Sequence, residues 1–253
     1  MSNVLIEERA HGARILTLNR PEARNAFSRA LVDELRAAVA ASTQARLVVL
    51  TGAGDKAFCA GADLKERRGM STEETRRFLD DLNALMNEVA ALPALTLAAI
   101  NGAAFGGGCE LALACDLRAA VPDAQIGLTE VTLGIIPGAG GTQRLARLVG
   151  PSRAKELIAL GRRLGAADAL AIGLLSDVGD PLAWAERLAA QLANTAPLAV
   201  AAAKRAIDEG AHLPIAEGLA VERRWYETTL GTEDRREGLR AFAEKRPPVF
   251  RGR

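Results

Sequence analysis

The chain has 253 residues, 49% apolar and 25% charged, which is enough for one large domain or for a core with a smaller appendage and excludes a disordered tail, a collagen-like fibre and a disulfide-stapled mini-protein. Its 32 basic and 31 acidic residues leave a formal net charge of +1, so no whole-chain attraction to nucleic acid or anionic membrane is expected, and any bound anion must meet a local site. Aromatic residues are scarce at 4%, which leaves little material for stacking platforms on single-stranded nucleic acid.

From the N-terminus, Val4 to Glu8 and Ala13 to Asn19 read as a hairpin around His11-Gly12. Ser28 to Ala41 carries Leu31, Val32, Leu35 and Val39 at helical spacing, and Leu47-Val48-Val49-Leu50 is a short buried strand. Thr72 to Leu92 predicts a long helix stopped by Pro93, Thr96 to Ile100 a second buried strand, and Asn101 to Gly108 a glycine-rich stretch. Gly108 to Cys115 is almost wholly small or apolar, so this helix is expected to be buried on most sides. Leu117 to Val121 and Gln125 to Leu128 predict further strands, with Glu130 closing the second. Past about Leu175 only helices are expected, over Pro181 to Ala193, Pro197 to Gly210, Pro214 to Leu230 and Glu233 to Glu244. Alternating strands and helices imply an α/β layer architecture. Three strand–turn–helix stretches, ending at Ala60-Gly61-Ala62, Gly106-Gly107-Gly108 and Gly138-Ala139-Gly140-Gly141, form a weak repeat, and stacking them would align bare backbone along one edge.

The start, MSNVLIEERAHG, has no signal-peptide pattern, and no apolar run reaches the roughly 18 residues of a membrane span. Cys59, Cys109 and Cys115 are an odd number in Ala- and Gly-rich surroundings, which suits reduced thiols. A cytoplasmic, membrane-free protein is expected. His11 and His212 each stand alone and the cysteines lack paired spacing, so both histidines are read as surface residues and no metal site is expected. Gly52-Ala53-Gly54-Asp55-Lys56-Ala57 matches a dinucleotide fingerprint after a strand, but Phe58-Cys59-Ala60-Gly61 breaks the helix that should follow.

The chemical anomaly is a pair of carboxylates in apolar surroundings. Glu110 is the one ionisable group in its helix before Asp116, and Glu130 follows Leu128-Thr129. Burial raises a carboxyl's pKa toward neutrality, where it can donate or accept protons, although capping a turn or pairing with an arginine would equally explain either residue. Gly106-Gly107-Gly108 before a helix leaves amides uncovered at a positive dipole end, suited to a developing oxyanion, and Ala60-Gly61-Ala62 could add a second amide.

Four ordered motifs, Asn19 to Ser28, Phe58 to Glu66, Asn101 to Leu111 and Ile136 to Leu145, resemble those of the enoyl-CoA hydratase/isomerase (crotonase) family, and the likeness runs to Pro248. The resemblance implies a crotonase-like spiral of repeated ββα units over residues 1–194, holding the active site, and a helical trimerisation region over 195–253, assembled as a homotrimer or a homohexamer (a dimer of trimers). It also implies that the amides of Ala62 and Gly107 form an oxyanion hole for a thioester carbonyl, and that Glu110 activates water while Glu130 delivers a proton to C2. Members that isomerise or cleave often lack one of these carboxylates, so their joint presence implies hydration or dehydration of an acyl-CoA thioester. No separate cofactor is implied, since coenzyme A is part of the substrate. Lys56, Ala60, Asp63, Leu64 and Lys65 are the implied CoA contacts, with Phe242 and Lys245 reaching a neighbour's CoA.

Within the family, the stretches at 62–67, 110–118, 154–158 and 244–248 look most like the branch that hydrates 3-methylglutaconyl-CoA in leucine breakdown. That substrate's distal carboxylate calls for a cation, for which Arg67 or Arg68 is the candidate. A short-chain enoyl-CoA hydratase of β-oxidation is the alternative. RNA binding, which a mammalian member of the branch performs through a lysine-studded helix, is disfavoured: Arg29 to Ser42 sets Arg29 and Arg36 against Asp33 and Glu34 and has no lysine.

Overall fold

The computed structural model describes residues 2–253. The hairpin forms as β1 (Val4–Glu8) and β2 (Ala13–Leu18), joined through a 3₁₀ turn at Ala10–Gly12. Thereafter the chain winds through two sheets. Strands β3 (Leu47–Gly52), β5 (Leu95–Ile100) and β7 (Leu117–Ala120) are parallel neighbours in one sheet. Strands β4 (Ala57–Cys59), β6 (Ala103–Phe105) and β8 (Gln125–Gly127) are parallel neighbours in the other. Each turn of the winding leaves one strand in each sheet and then a helix, which is the expected ββα spiral.

Every residue of β3 is buried, so its apolar run is continuous instead of alternating, as suits a parallel strand covered on both faces. One face packs against α1 (Arg29–Ala40), α3 (Thr72–Ala90) and α4 (Gly107–Ala114), placing Leu50, Leu35, Met86 and Leu111 in one core. The other face receives α8 (Pro181–Leu192) through Ala185 and Ala189. Local signals set the helix starts: the Ser28 hydroxyl accepts from Leu31 N–H, and Ser71 with Glu74 closes a capping box on α3.

Two expectations change. Strands do not stop near Leu175: β10 (Asp177–Val178) pairs in parallel with β7 and ends the six-stranded sheet. Two residues are too few to carry a periodic signal. Nor does Glu130 close a strand, because β8 ends at Gly127 and Glu130 instead opens a 3₁₀ turn, Glu130–Leu133. Two helices, α5 (Gly141–Val149) and α6 (Pro151–Ala159), then precede β9 (Leu164–Gly165), which pairs antiparallel with β8. Between β4 and α3 lies the single-turn α2 (Leu64–Arg67), and α7 (Ala166–Ala171) follows β9.

The last helices are α9 (Pro197–Gly210), α10 (Ile215–Leu230) and α11 (Glu233–Glu244). Helices α9 and α10 meet where Gly210 and Gly218 face each other, and a methyl on either would press the other's backbone. Lys204 ties α9 to the spiral, donating to Asp116 at 2.7 Å and to the Ala94 carbonyl. The Asp234 carboxylate holds the C-terminal strand of chain by accepting from Arg251 and Gly252 N–H. No helix among the described residues is long and apolar enough to cross a membrane.

Candidate active site

The site is built where β4 and β6 release their chains. Gly106 takes φ +53°, and Gly61 takes φ +95°. A Cβ on Gly61 would sit 2.9 Å from the Phe105 carbonyl oxygen and 3.4 Å from Gly107 N, so the two backbones can lie this close only without side chains. Phe27 fixes the Gly61–Asp63 stretch from the other side, its N–H donating to Gly61 O at 2.8 Å and its carbonyl accepting from Asp63 N–H at 2.9 Å. Ala62 lies between these bonds. Among the described residues, neither Ala62 N–H nor Gly107 N–H donates to a backbone acceptor, which leaves two free donors beside the positive end of α4.

Glu110 stands one turn into α4, on the same face as Gly107, and is 3% exposed. Its Oε1 accepts from Ala139 N–H at 2.7 Å and Gly141 N–H at 2.8 Å. Burial pushes its carboxyl up, and the two amides with the Arg144 guanidinium pull in the opposite direction. Glu130 is arranged otherwise. Its Oε1 lies 3.4 Å from where a Cβ on Gly106 would stand, and its Oε2 is buried with no hydrogen-bond partner. Burial, with the Glu110 charge adding to it, pushes Glu130 up to about 7 despite its own backbone N–H. Both carboxyls are thus raised by burial beside one helix end, but Glu110 has two amide donors and a cation working against that rise, whereas Glu130 has only its own backbone N–H.

The three cysteines are free and buried, and burial pushes the Cys59 and Cys115 thiols up to about 12 and Cys109 higher still, so none is a thiolate nucleophile near neutral pH. Both histidines are exposed.

The structure brings Ala62, Gly107, Glu110 and Glu130 together. Ala60 is half-buried beside them, whereas Lys56, Leu64 and Lys65 are exposed on the adjoining surface. Asp63 caps α2, accepting from Lys65 and Glu66 N–H, and pairs with Arg20 at 3.0 Å. Burial raises the Asp63 carboxyl, but Arg20 and these amides outweigh it and hold the group below its usual range. Its carboxylate is therefore committed within the chain. Arg67 is half-buried and Arg68 exposed, and neither is in an ion pair among the described residues. Phe242, 87% exposed, and Lys245 belong to α11 and its cap, outside the spiral. Arg29 and Arg36 of α1 are engaged by Glu66, Glu74, Asp81 and Glu88, which leaves that helix little free positive charge.

Sequence reasoning quoted Asn25 and Arg144 inside motifs without giving them a role. Asn25 is fully buried at φ +55°, and its amide bridges Ala53 O and Ala57 O, which holds the entry to β4. Arg144, from α5, donates to Ala139 O at 3.0 Å and to Asn87 Oδ1 at 2.8 Å. In the sequence Asn25 and Arg144 carry no signal beyond an Asn inside one motif and an Arg just after a glycine-rich turn, because their partners are remote along the chain.

The enoyl-CoA hydratase/isomerase family model matches residues 8–253. Enoyl-CoA isomerase/hydratase fer4 of Mycosarcoma maydis is 49% identical over 252 residues, covering 94% of this chain and 92% of the relative. The human mitochondrial methylglutaconyl-CoA hydratase is 44% identical over 257 residues, covering 98% and 76%. The crystal structure of an enoyl-CoA hydratase from Bacillus anthracis superposes with a TM-score of 0.96 at 46% identity, covering 99% of this chain and all of that one. Fold and site together define a hydratase-type lyase with the crotonase fold. The chain belongs to the enoyl-CoA hydratase/isomerase family.

Proposed function

We propose that this enzyme adds water reversibly across the C2–C3 double bond of an enoyl-CoA. The thioester oxygen is held by the Ala62 and Gly107 amides, which strengthen their grip as it takes on enolate charge. Glu110 accepts a proton from water as the oxygen bonds to C3, and Glu130 delivers a proton to C2; dehydration reverses both transfers. The observation that carries this reading is the unequal hydrogen bonding of the two carboxyls: two N–H donors on Glu110 Oε1 stabilise its ionised form, while the unpartnered Glu130 Oε2 favours the protonated acid.

Coenzyme A runs along Ala60 to Lys65, with its phosphates near Lys56 and Lys65. Residues 195–253 form the trimerisation region: Ile207, Ile215, Leu219 and Phe242 are all more than half exposed on the last helices, and a second copy would cover them and bring Phe242 and Lys245 to a neighbour's CoA. The acyl group we assign is 3-methylglutaconyl, supported by the 44% identical methylglutaconyl-CoA hydratase and by Arg67, a half-buried cation free of ion pairs just after the Ala62 loop. The 49% identical fer4 carries no such substrate in its name, and a short-chain enoyl-CoA is the second reading.

The test is turnover of the purified enzyme on crotonyl-CoA, 3-methylcrotonyl-CoA and 3-methylglutaconyl-CoA, with Glu110→Gln and Glu130→Gln alongside. Each variant is expected to lose at least about a hundredfold in hydration while retaining CoA-ester binding. Near-normal turnover in either removes that residue from the reaction, and highest kcat/KM on crotonyl-CoA selects the short-chain reading.

A further inference from the structure

We infer that Arg144, backed by Asn87, is a positioning residue that holds the Gly138–Gly141 turn in the form that presents two N–H groups to Glu110. The inference deepens the proposed function, since it rests on Glu110 being the base.

The turn has little of its own to hold it. Gly138 and Gly140 bracket Ala139, and Gly140 takes φ +98°, so the chain here is free to adopt many shapes. Its three leading carbonyls and two of its N–H groups are nonetheless engaged. Ala139 N–H and Gly141 N–H go to Glu110 Oε1, and Gly140 O accepts from Gln143 and Arg144 N–H of α5. Gly138 O accepts from Asn83 Nδ2 at 2.7 Å, and Ala139 O from Arg144 Nη1 at 3.0 Å. One end of the guanidinium presses on the turn: a methyl on Gly140 would fall on Arg144 Nη1. Its other arm, Nη2, reaches Asn87 Oδ1 at 2.8 Å.

Leu79, Asn83 and Asn87 lie four residues apart on α3 and form one row along that helix. Leu79 abuts Gly138, Asn83 binds Gly138 O, and Asn87 anchors Arg144. The row therefore docks the turn against a long, well-packed helix, with the guanidinium as the link at its Glu110 end. Arg144 is in no ion pair among the described residues, and its hydrogen-bond partners are neutral. Its charge is left to act on Glu110, whose ionised form the base role requires. The other titratable groups near Glu110 are Glu130 and the un-ionised Cys109 thiol, and neither supplies positive charge.

The experiment compares Arg144→Met, Arg144→Lys, Asn87→Ala and Glu110→Gln with the wild type, measuring kcat, KM, the acid limb of the kcat–pH profile and the melting temperature. Arg144→Met is expected to lower kcat about tenfold to a hundredfold, the scale for a misplaced reacting group, with KM within about threefold. Its acid limb should move to higher pH, because Glu110 loses a nearby cation. Arg144→Lys should restore the limb and part of kcat, and Asn87→Ala should lower kcat less with the limb in place. A kcat loss in Arg144→Met that only tracks lost folded protein, with the limb unmoved, overturns the inference. If Arg144→Met does not fold, wild-type kcat and limb in both Arg144→Lys and Asn87→Ala overturn it. An active Glu110→Gln instead defeats the reading of Glu110 as base, which is a separate outcome.

Discussion

Glu130→Gln is expected to lower hydration at least about a hundredfold and yet gain stability relative to the wild type as pH rises past neutral. The carboxyl ionises at an ordinary value of 4.5 in the unfolded chain and at about 7 in the folded one. Below about 4.5 both states hold the proton. As pH rises toward 7 the unfolded chain releases it while the folded chain keeps it, so stability drains away across this window and the loss is complete above it. At about 1.4 kcal/mol per tenfold the full difference is about 3.5 kcal/mol, and the partial exposure of the side chain reduces it to about 1–3 kcal/mol. A chain of this size moves about 2–4 °C in melting temperature per kcal/mol, giving about 2–12 °C.

Glutamine cannot ionise, so it escapes this loss. Its amide pairs differently from a carboxyl, but that cost is the same at every pH and cancels when the variant's melting temperature minus the wild type's is compared between pH 5 and pH 8. Scanning calorimetry or dye-based melting at the two pH values should show the difference growing in the variant's favour by those few degrees. In parallel, the wild type's hydration kcat should fall as pH rises through about 7, since the acid must be protonated. A melting difference that is flat with pH refutes the raised ionisation and, with it, the assignment of Glu130 as the acid.

Gly108→Ala should cost more than about 3 kcal/mol, since its methyl would lie 2.0 Å from the Cys59 carbonyl oxygen, a backbone atom that cannot swing away; Gly165→Ala, with open space around it, should be neutral, and melting temperatures compare them. Arg67→Ala should lower kcat/KM for 3-methylglutaconyl-CoA relative to crotonyl-CoA by roughly thirtyfold to a thousandfold, with Arg68→Ala doing less, as measured by the ratio in each variant. Phe242→Asp should shift sedimentation toward monomer, because it places a charge on the most exposed large apolar side chain of α11.

Much of the fold is legible because double burial leaves a plain mark. Leu47 to Leu50 is apolar without alternation, and a parallel strand between two covering layers has no polar face to show. Glu110 is equally plain: a lone acid in Gly108 to Ala114 has nowhere polar to turn, and it is indeed buried. Strands β4, β6 and β10 escape notice because two or three residues hold less than one full alternation, and their pairing is dictated by neighbours already in place. The placement of Glu130 fails for a related reason. Leu128-Thr129 continues the strand composition of Gln125 to Gly127, but the ladder ends at Gly127, where its carbonyl accepts from Gly106 N–H. Arg144 shows the hardest limit: its meaning lies in Asn87, which is 57 positions away on another helix.

The same geometry gives the two carboxyls proposed as base and acid different surroundings, although buried Glu110 and half-buried Glu130 both lie beside Gly106. A buried carboxyl is un-ionised by default, since charge is costly away from water. Hydrogen-bond donors oppose that default without overturning it: Glu110 receives two N–H groups from a neighbouring turn and faces Arg144, whereas Glu130 receives only its own backbone N–H, and burial holds both carboxyls above their ordinary range. Glu110 lies beside a turn with two N–H groups to give, and that turn stays in place because α3 and Arg144 hold its carbonyls. Glu130 faces the achiral edge of Gly106, which has no side chain to donate, and its Oε2 stays dry and unpartnered. Once Glu110 is ionised its charge raises Glu130 further, so each state reinforces the other. The proposed division of labour therefore follows from which backbone each carboxyl meets.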